Sequence, residues 1–496
     1  MSERAYQICT GRRFAFFVLT ILFAGLLLSC GAPAQTGSSA TSSPTTASAT
    51  PSPAPTVNVR VLPTPTARPV NAAATNGYST QVAIVDGVAY VGTTNNAFYA
   101  LQANNGALLW RTKIDGAVDE PPVVVDGVVY FSTYIGQSGP ANVFALGASD
   151  GARLWEYHAG YNYVPTPVVA DGLLYLDAPN GVVALHANDG TQAWHFTAGD
   201  NTYIATVVNG VLYLSSHQGD SGPGTAYALR ANDGHLLWQY KSSKTLDPPE
   251  VINGVAYVGA WDGTLFALRA SDGRLLWHTT LSGSPLWMQQ ANDVLYVATQ
   301  KAIYPTASNA TAPVETLAVN SFLQAMAPLS RIRPHKQILT ELYALRVSDG
   351  TTLWRNELNN GTDSFASWFV VDNGVIYGTE NVNINLTNHN YVYAMRGGDS
   401  KPLWQDETDV SSGSAQLANG VIYVTSGNSL QDQTTLYALR ESDGSLLWNY
   451  PIAATSTNAP ILVGNILYVG AENGMVYALS AGNGKLLWHY QTDVNP

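Results

Sequence analysis

From about Gly77 onward, apolar and polar residues alternate in short runs, and each run is closed by a pair such as Asn-Gly or Asp-Gly. The stretch 248–283 shows the unit: "PPEVING", "VAYVGAWDG", "TLFALRASDG", "RLLWHTTLSG". Alternation with a period of two predicts strands with one face buried, and the Gly-containing pairs supply the positive φ that tight hairpins require. The unit therefore reads as a four-stranded antiparallel meander.

The same unit recurs in one register. An alanine is followed by a glycine six residues later and a tryptophan four after that, as in Ala100-Gly106-Trp110 and Ala267-Gly273-Trp277. The tryptophans of the series are Trp110, Trp155, Trp194, Trp238, Trp277, Trp354, Trp404, Trp448 and Trp488; Ser400 replaces the glycine in the seventh copy. Their spacings are 45, 39, 44, 39, 77, 50, 44 and 40 residues, and the outlying 77 holds an insertion. About 40 residues per four strands, repeated in series, predicts an all-β protein built as a β-propeller. A closed ring protects blade edges that would otherwise template aggregation.

The Ala-Gly-Trp spacing, with strands of the "YVG" and "YAL" kind, resembles the pyrroloquinoline-quinone-type repeat family over residues 76–496. The resemblance implies a ring in which each tryptophan of the series docks one blade on its neighbour. The family norm is eight blades; nine quartets are counted here.

The first thirty residues differ in kind. Arg12 and Arg13 precede the apolar run "FAFFVLTILFAGLLL", and "LLSC" ends at Cys30. This is the pattern of a secretory signal, too short for a membrane span of about 20 residues. It resembles a bacterial lipobox, which implies cleavage before Cys30 and lipidation of its sulfur. Residues 31–75 are rich in Ala, Ser, Thr and Pro, which predicts a disordered tether between lipid and ring. The expected location is outside the cytoplasm: on the outer face of the cytoplasmic membrane, or in the periplasm or outer membrane.

Composition narrows the chemistry. Charged residues make up 12% of the chain and the formal net charge is -12, with no basic footprint for nucleic acid. Both cysteines, Cys9 and Cys30, lie in the leader, so the repeat region has no thiolate ligand and no disulfide. None of the nine histidines forms an H-x-H or H-E-x-x-H pair. Residues two and four before Asp272 are Ala270 and Leu268, unlike a calcium loop, so the Asp-Gly pairs read as turns. No catalytic residue and no metal site is assigned.

Function is then sought where the repeat breaks. The connections between second and third strands leave a propeller on one face. Four are lengthened: 133–142, 216–225, 380–390 and, in the sixth unit, an insertion over 299–340. Within it, Val314–Leu329 predicts an amphipathic helix, and Arg331 and Arg333 follow in a basic cluster. Trp261, Trp287 and Trp368 lie outside the docking series, and Trp287, Trp368, Tyr161, Tyr163 and Tyr203 are placed near the mouth of the channel. They are candidates for ligand or partner contact, or fillers of the funnel.

Three functions stay open at this point. The first is a lipid-anchored, non-enzymatic scaffold that binds an envelope or surface protein, needs no cofactor, and is closest in kind to the propeller lipoproteins of outer-membrane assembly. The second is a dehydrogenase of alcohols or sugars using pyrroloquinoline quinone with calcium. The third is a surface sensor or carbohydrate-binding module.

Overall fold

A computed structural model describes residues 60–61 and 82–492, except 119, 136–138, 140, 161–163, 179, 220–221, 304–336, 359–362, 385–386, 409–414 and 429–432. Cys30, Tyr161, Tyr163, Arg331, Arg333 and the helix expected over 314–329 lie outside the described residues.

The described chain is all-β. It forms nine sheets, numbered here as blades 1 to 9; each holds four strands consecutive in sequence, and that of blade 7 carries a fifth. Blade 5 is representative, with strands Glu250–Ile252, Val255–Gly259, Thr264–Arg269 and Leu275–Thr280. The first strand lines the axis and the fourth forms the perimeter. Nine blades are therefore observed, not the eight of the family norm.

The hydrophobic core is divided into nine parts, one in each seam between consecutive blades. Tyr213 and Trp238 of blade 4 pack with Val258 and Leu268 of blade 5. The last seam closes the ring, where Tyr468, Val476 and Trp488 of blade 9 meet Val91 and Tyr99 of blade 1. The sheets of blades 9 and 1 are each complete within their own quartets, so no strand is exchanged at this closure.

The recurring triplet explains the seam. Nε1 of Trp238 donates to the Ala270 carbonyl at 2.8 Å, and the Tyr213 hydroxyl donates to the same oxygen at 3.2 Å. The indole lies on Gly273 of the next blade, where a Cβ would fall 2.7 Å from the ring. Asp272 Oδ1 accepts the Arg274 N–H at 3.1 Å, which closes the turn. A β-bulge after the motif alanine breaks the alternation of the outer strand. Two adjacent leucines, Leu275 and Leu276, thus stay on the perimeter while Trp277 turns inward, 8% exposed.

Ser400 takes the glycine position in blade 7 with φ +54°. A side chain there costs about 1 kcal/mol or more relative to glycine. Ser400→Gly is expected to raise the thermal midpoint by a few degrees; an unchanged or lower midpoint would refute the cost.

One stretch departs from the tether reading. Arg60 and Val61 form a short parallel strand on the perimeter of blade 7, paired with Asp406 and Glu407. The local sequence "VNVRV" does alternate, with β-branched residues. The outer strand offers unpaired N–H and C=O groups, and these residues satisfy some of them.

Candidate functional site

Two features interrupt the repeat on the face that carries the second-to-third strand connections. The first is a pair of long hairpins. In blade 5 the second and third strands end at the pair Gly259–Leu265. In blade 6 the ladder continues past the equivalent pair through Thr299–Glu341, Gln300–Thr340, Lys301–Leu339, Ala302–Ile338 and Ile303–Gln337. In blade 7 it continues from Glu380–Tyr391 to Ile384–Thr387. Five further residues rise about 17 Å at roughly 3.3 Å each. The stretches 299–303, 337–340 and 380–390, expected as loop, are thus largely strand, because cross-strand pairing satisfies their backbone groups.

The base of these hairpins is polar and buried. Glu341 is 3% exposed; Ser282 and Arg355 hold its carboxylate, and Tyr343 donates to it at 2.7 Å. In blade 7, Asn381 donates to Asn390 at 2.8 Å, and Nδ1 of His389 lies 2.6 Å from Glu407. These bonds fix the direction in which each hairpin leaves the ring.

The second feature is an aromatic stack across blades 4 and 5. Tyr203, at the start of the first strand of blade 4, stacks on His217 with ring centroids 5.7 Å apart. His217 ends the second strand, and the indole of Trp261 lies 5.7 Å beyond it. Trp261 sits in the connection after Gly259, and its Nε1 donates to Asp247 Oδ1 at 2.9 Å. Lys244 pairs with Asp262 at 3.0 Å on the same face.

Nδ1 of His217 lies 2.7 Å from the Gly219 carbonyl, so that nitrogen carries the proton. Nε2 is buried without a partner among the described residues. Trp261 above it is 39% exposed. The indole of Trp261, tilted 58° to the imidazole, offers an exposed aromatic surface on this face.

Tyr203 and Trp261, singled out from the sequence, are therefore brought together. His217 links them; its only sequence signal is membership of the lengthened connection 216–225. Trp287 and Trp368 go elsewhere. They are half-buried and pack in the seams between blades 6 and 7 and between blades 7 and 8. The nine tryptophans of the series lie in the nine seams, each donating to a carbonyl of the following blade, from Trp110 on Ala148 at 2.9 Å to Trp488 on Ala103 at 2.9 Å.

Nine four-stranded sheets joined by docked tryptophans define a β-propeller of pyrroloquinoline-quinone-type repeats. The chain belongs to the family described as outer membrane protein assembly factor BamB, which matches residues 66–219, 180–373 and 339–496. No curated protein matches the sequence. Among solved structures it is similar to BamB from Moraxella catarrhalis, at 12% identity over 81% of this chain and 94% of that one, with a TM-score of 0.43. A quinohemoprotein alcohol dehydrogenase from Comamonas testosteroni is similar at 14% identity over 75% of this chain and 73% of that one, with a TM-score of 0.44. The computationally designed protein Ika8 is similar at 12% identity over 72% and 95%, with a TM-score of 0.48.

Calcium takes six to eight oxygen ligands, and among the described residues no three His, Cys, Asp or Glu side chains come together to hold a metal. Pyrroloquinoline quinone is a polycarboxylate, and none of the nine axis-lining strands carries Lys, Arg or His.

Proposed function

We propose that this protein is an exported propeller, anchored through a lipid on Cys30, that binds a protein partner on the face bearing the long hairpins. The family supports an extracytoplasmic assembly role, and the leader "LLSC" supports the anchor. The observation that carries the reading is the five-pair extension of two adjacent blades on one face. A folded extension beyond the ordinary blade length offers surface for contact with something outside the ring. The stack of Tyr203, His217 and Trp261 on the same face adds an exposed aromatic anchor of the kind that dominates protein interfaces.

The test is site-specific photo-cross-linking in the native host. A probe at Lys301, exposed on the blade 6 hairpin, is expected to give one discrete protein adduct, and Trp261→Ala should weaken it several-fold. A probe at Leu276 on the perimeter is expected to give none. Equal adducts from both positions, or none from Lys301, would overturn the assignment of this face.

A further inference from the structure

Three blades carry a long polar residue at one place in the first strand, opposite the buried tyrosine of the second. The pairs are Glu250–Tyr257 in blade 5, Gln289–Tyr296 in blade 6 and Gln416–Tyr423 in blade 8. In two of the three the amide crosses the seam. Gln289 Oε1 accepts the Val371 N–H at 2.6 Å, and its Nε2 donates to the Val371 carbonyl at 3.3 Å. Gln416 Oε1 accepts the Leu462 N–H at 2.8 Å.

Val371 and Leu462 occupy equivalent places, one residue after the position opposite the tyrosine of their own blade. No further strand lies beyond the axis-lining strand, so its outward backbone groups need partners from elsewhere. At Gln289 the primary amide supplies both, one acceptor and one donor, at Gln416 it supplies the acceptor, and each ties its blade to the next at the axis.

Glu250 is the third member of this set. Residues paired across a ladder point to the same face, and Tyr257 packs with Leu295 and Tyr343 of blade 6. Glu250 therefore faces blade 6, where the residue equivalent to Val371 is Gln290. An ionised carboxylate offers acceptors alone, which suit the N–H of a peptide and repel its carbonyl. A neutral carboxylic acid offers one acceptor and one donor, like the amides of Gln289 and Gln416.

The surroundings favour the neutral form. Burial pushes the Glu250 carboxyl up from 4.5 to about 7, and burial is the whole cause. The first strand of blade 6, "SPLWMQQA", has no ionisable side chain, and that of blade 4, "TYIATVV", has only Tyr203. The second strand of blade 5 has only Tyr257, itself pushed up to about 12 by burial. Asp247, before the strand, is engaged with Trp261. The seam is also under-bonded. The Tyr257 hydroxyl and Gln290 Oε1 are buried without partners, whereas the equivalent hydroxyls of Tyr213 and Tyr296 reach carbonyls of the next blade.

We propose that Glu250 is a proton-controlled clasp between blades 5 and 6, closed on the Gln290 peptide as the neutral acid and released on ionisation. The clasp lies beside the blade that bears the longest insertion, so its release loosens the ring next to the hairpin face.

The sign follows from linkage. The folded state holds the proton more tightly than the unfolded chain. The stabilisation is complete below the ordinary carboxylate value of 4.5 and is lost as pH rises through about 7. The experiment compares urea unfolding of the full folded chain at pH 5, 6, 7 and 8 for the parent and for Glu250→Gln. The folding constant of the parent relative to Glu250→Gln is expected to fall by up to about ten-fold per pH unit within the window. A reciprocal variant, Gln289→Glu, should install the same dependence in the next seam, and it keeps the test open if Glu250→Gln does not fold. Carbon-13 NMR of the Glu250 carboxyl reads the proton directly. Parallel pH profiles for parent and Glu250→Gln, or a carboxyl that titrates near 4.5, would overturn the proposal.

Discussion

Replacing Trp488 by alanine is expected to destabilise the ring by about 3–5 kcal/mol and to open it at one place. Every other seam is backed by a peptide connection between its two blades. The seam between blades 9 and 1 has none, and no shared strand either, since the sheets of these two blades are each complete in their own four strands. What closes it is side-chain packing around Trp488, 8% exposed, with Tyr468, Val476, Val91 and Tyr99. Two hydrogen bonds add to this, both to the Ala103 carbonyl: from Trp488 Nε1 at 2.9 Å and from the Tyr468 hydroxyl at 3.0 Å. Alanine removes the indole and one of these donors, worth about 1 kcal/mol more. Trp277→Ala makes the comparison, since it removes an equivalent indole from the seam between blades 5 and 6. Both variants should lower the urea midpoint. Only Trp488→Ala should speed hydrogen exchange at the Ala103 and Gly106 amides on the far side of the seam. Equal exchange in the two variants would show that closure does not depend on this docking.

The second large effect is expected at the glycine on which each indole rests. Gly273 has φ +70° and Gly254 has φ +79°, so alanine at either pays for the left-handed backbone, about 1–2 kcal/mol. They differ in what the new carbon meets. At Gly254 nothing lies within 4 Å, whereas at Gly273 the carbon falls 2.7 Å from two atoms of the Trp238 ring. The indole cannot retreat without breaking its bond to Ala270, so overpacking adds about 1–3 kcal/mol. Gly273→Ala should therefore lose about 2–5 kcal/mol and Gly254→Ala about 1–2 kcal/mol in denaturant titrations. If the two losses match, the tight contact is not a constraint and the docking account of the triplet fails.

Much of the fold was legible because its signals are local. Asp272 and Gly273 close a turn through bonds within a few residues, and the structure shows the Asp272 carboxylate on the Arg274 N–H as turn chemistry requires. Alternation in "VAYVG" and "TLFALR" needs no knowledge of neighbours to predict a strand. The candidate site was legible only in part. Tyr203 and Trp261 stood out as aromatics outside the repeat, but His217 between them did not, since its role depends on rings 14 and 44 residues away in sequence. Trp287 and Trp368 looked the same as Trp261 in sequence, yet they fill seams.

By itself, then, the sequence determined a repeated four-stranded unit, its turn positions and its nine docking tryptophans. Tertiary structure alone decided which glycine receives which indole, that the ring closes without strand exchange, and that two connections continue as strands. It also decided that Glu250 shares a position with Gln289 and Gln416. The physical reason is one of range. Turn and strand signals come from bonds within a few residues, whereas a seam joins atoms far apart in the chain, 385 residues apart for Trp488 and Ala103. A repeat states that its units are alike; only their packing states what each unit touches.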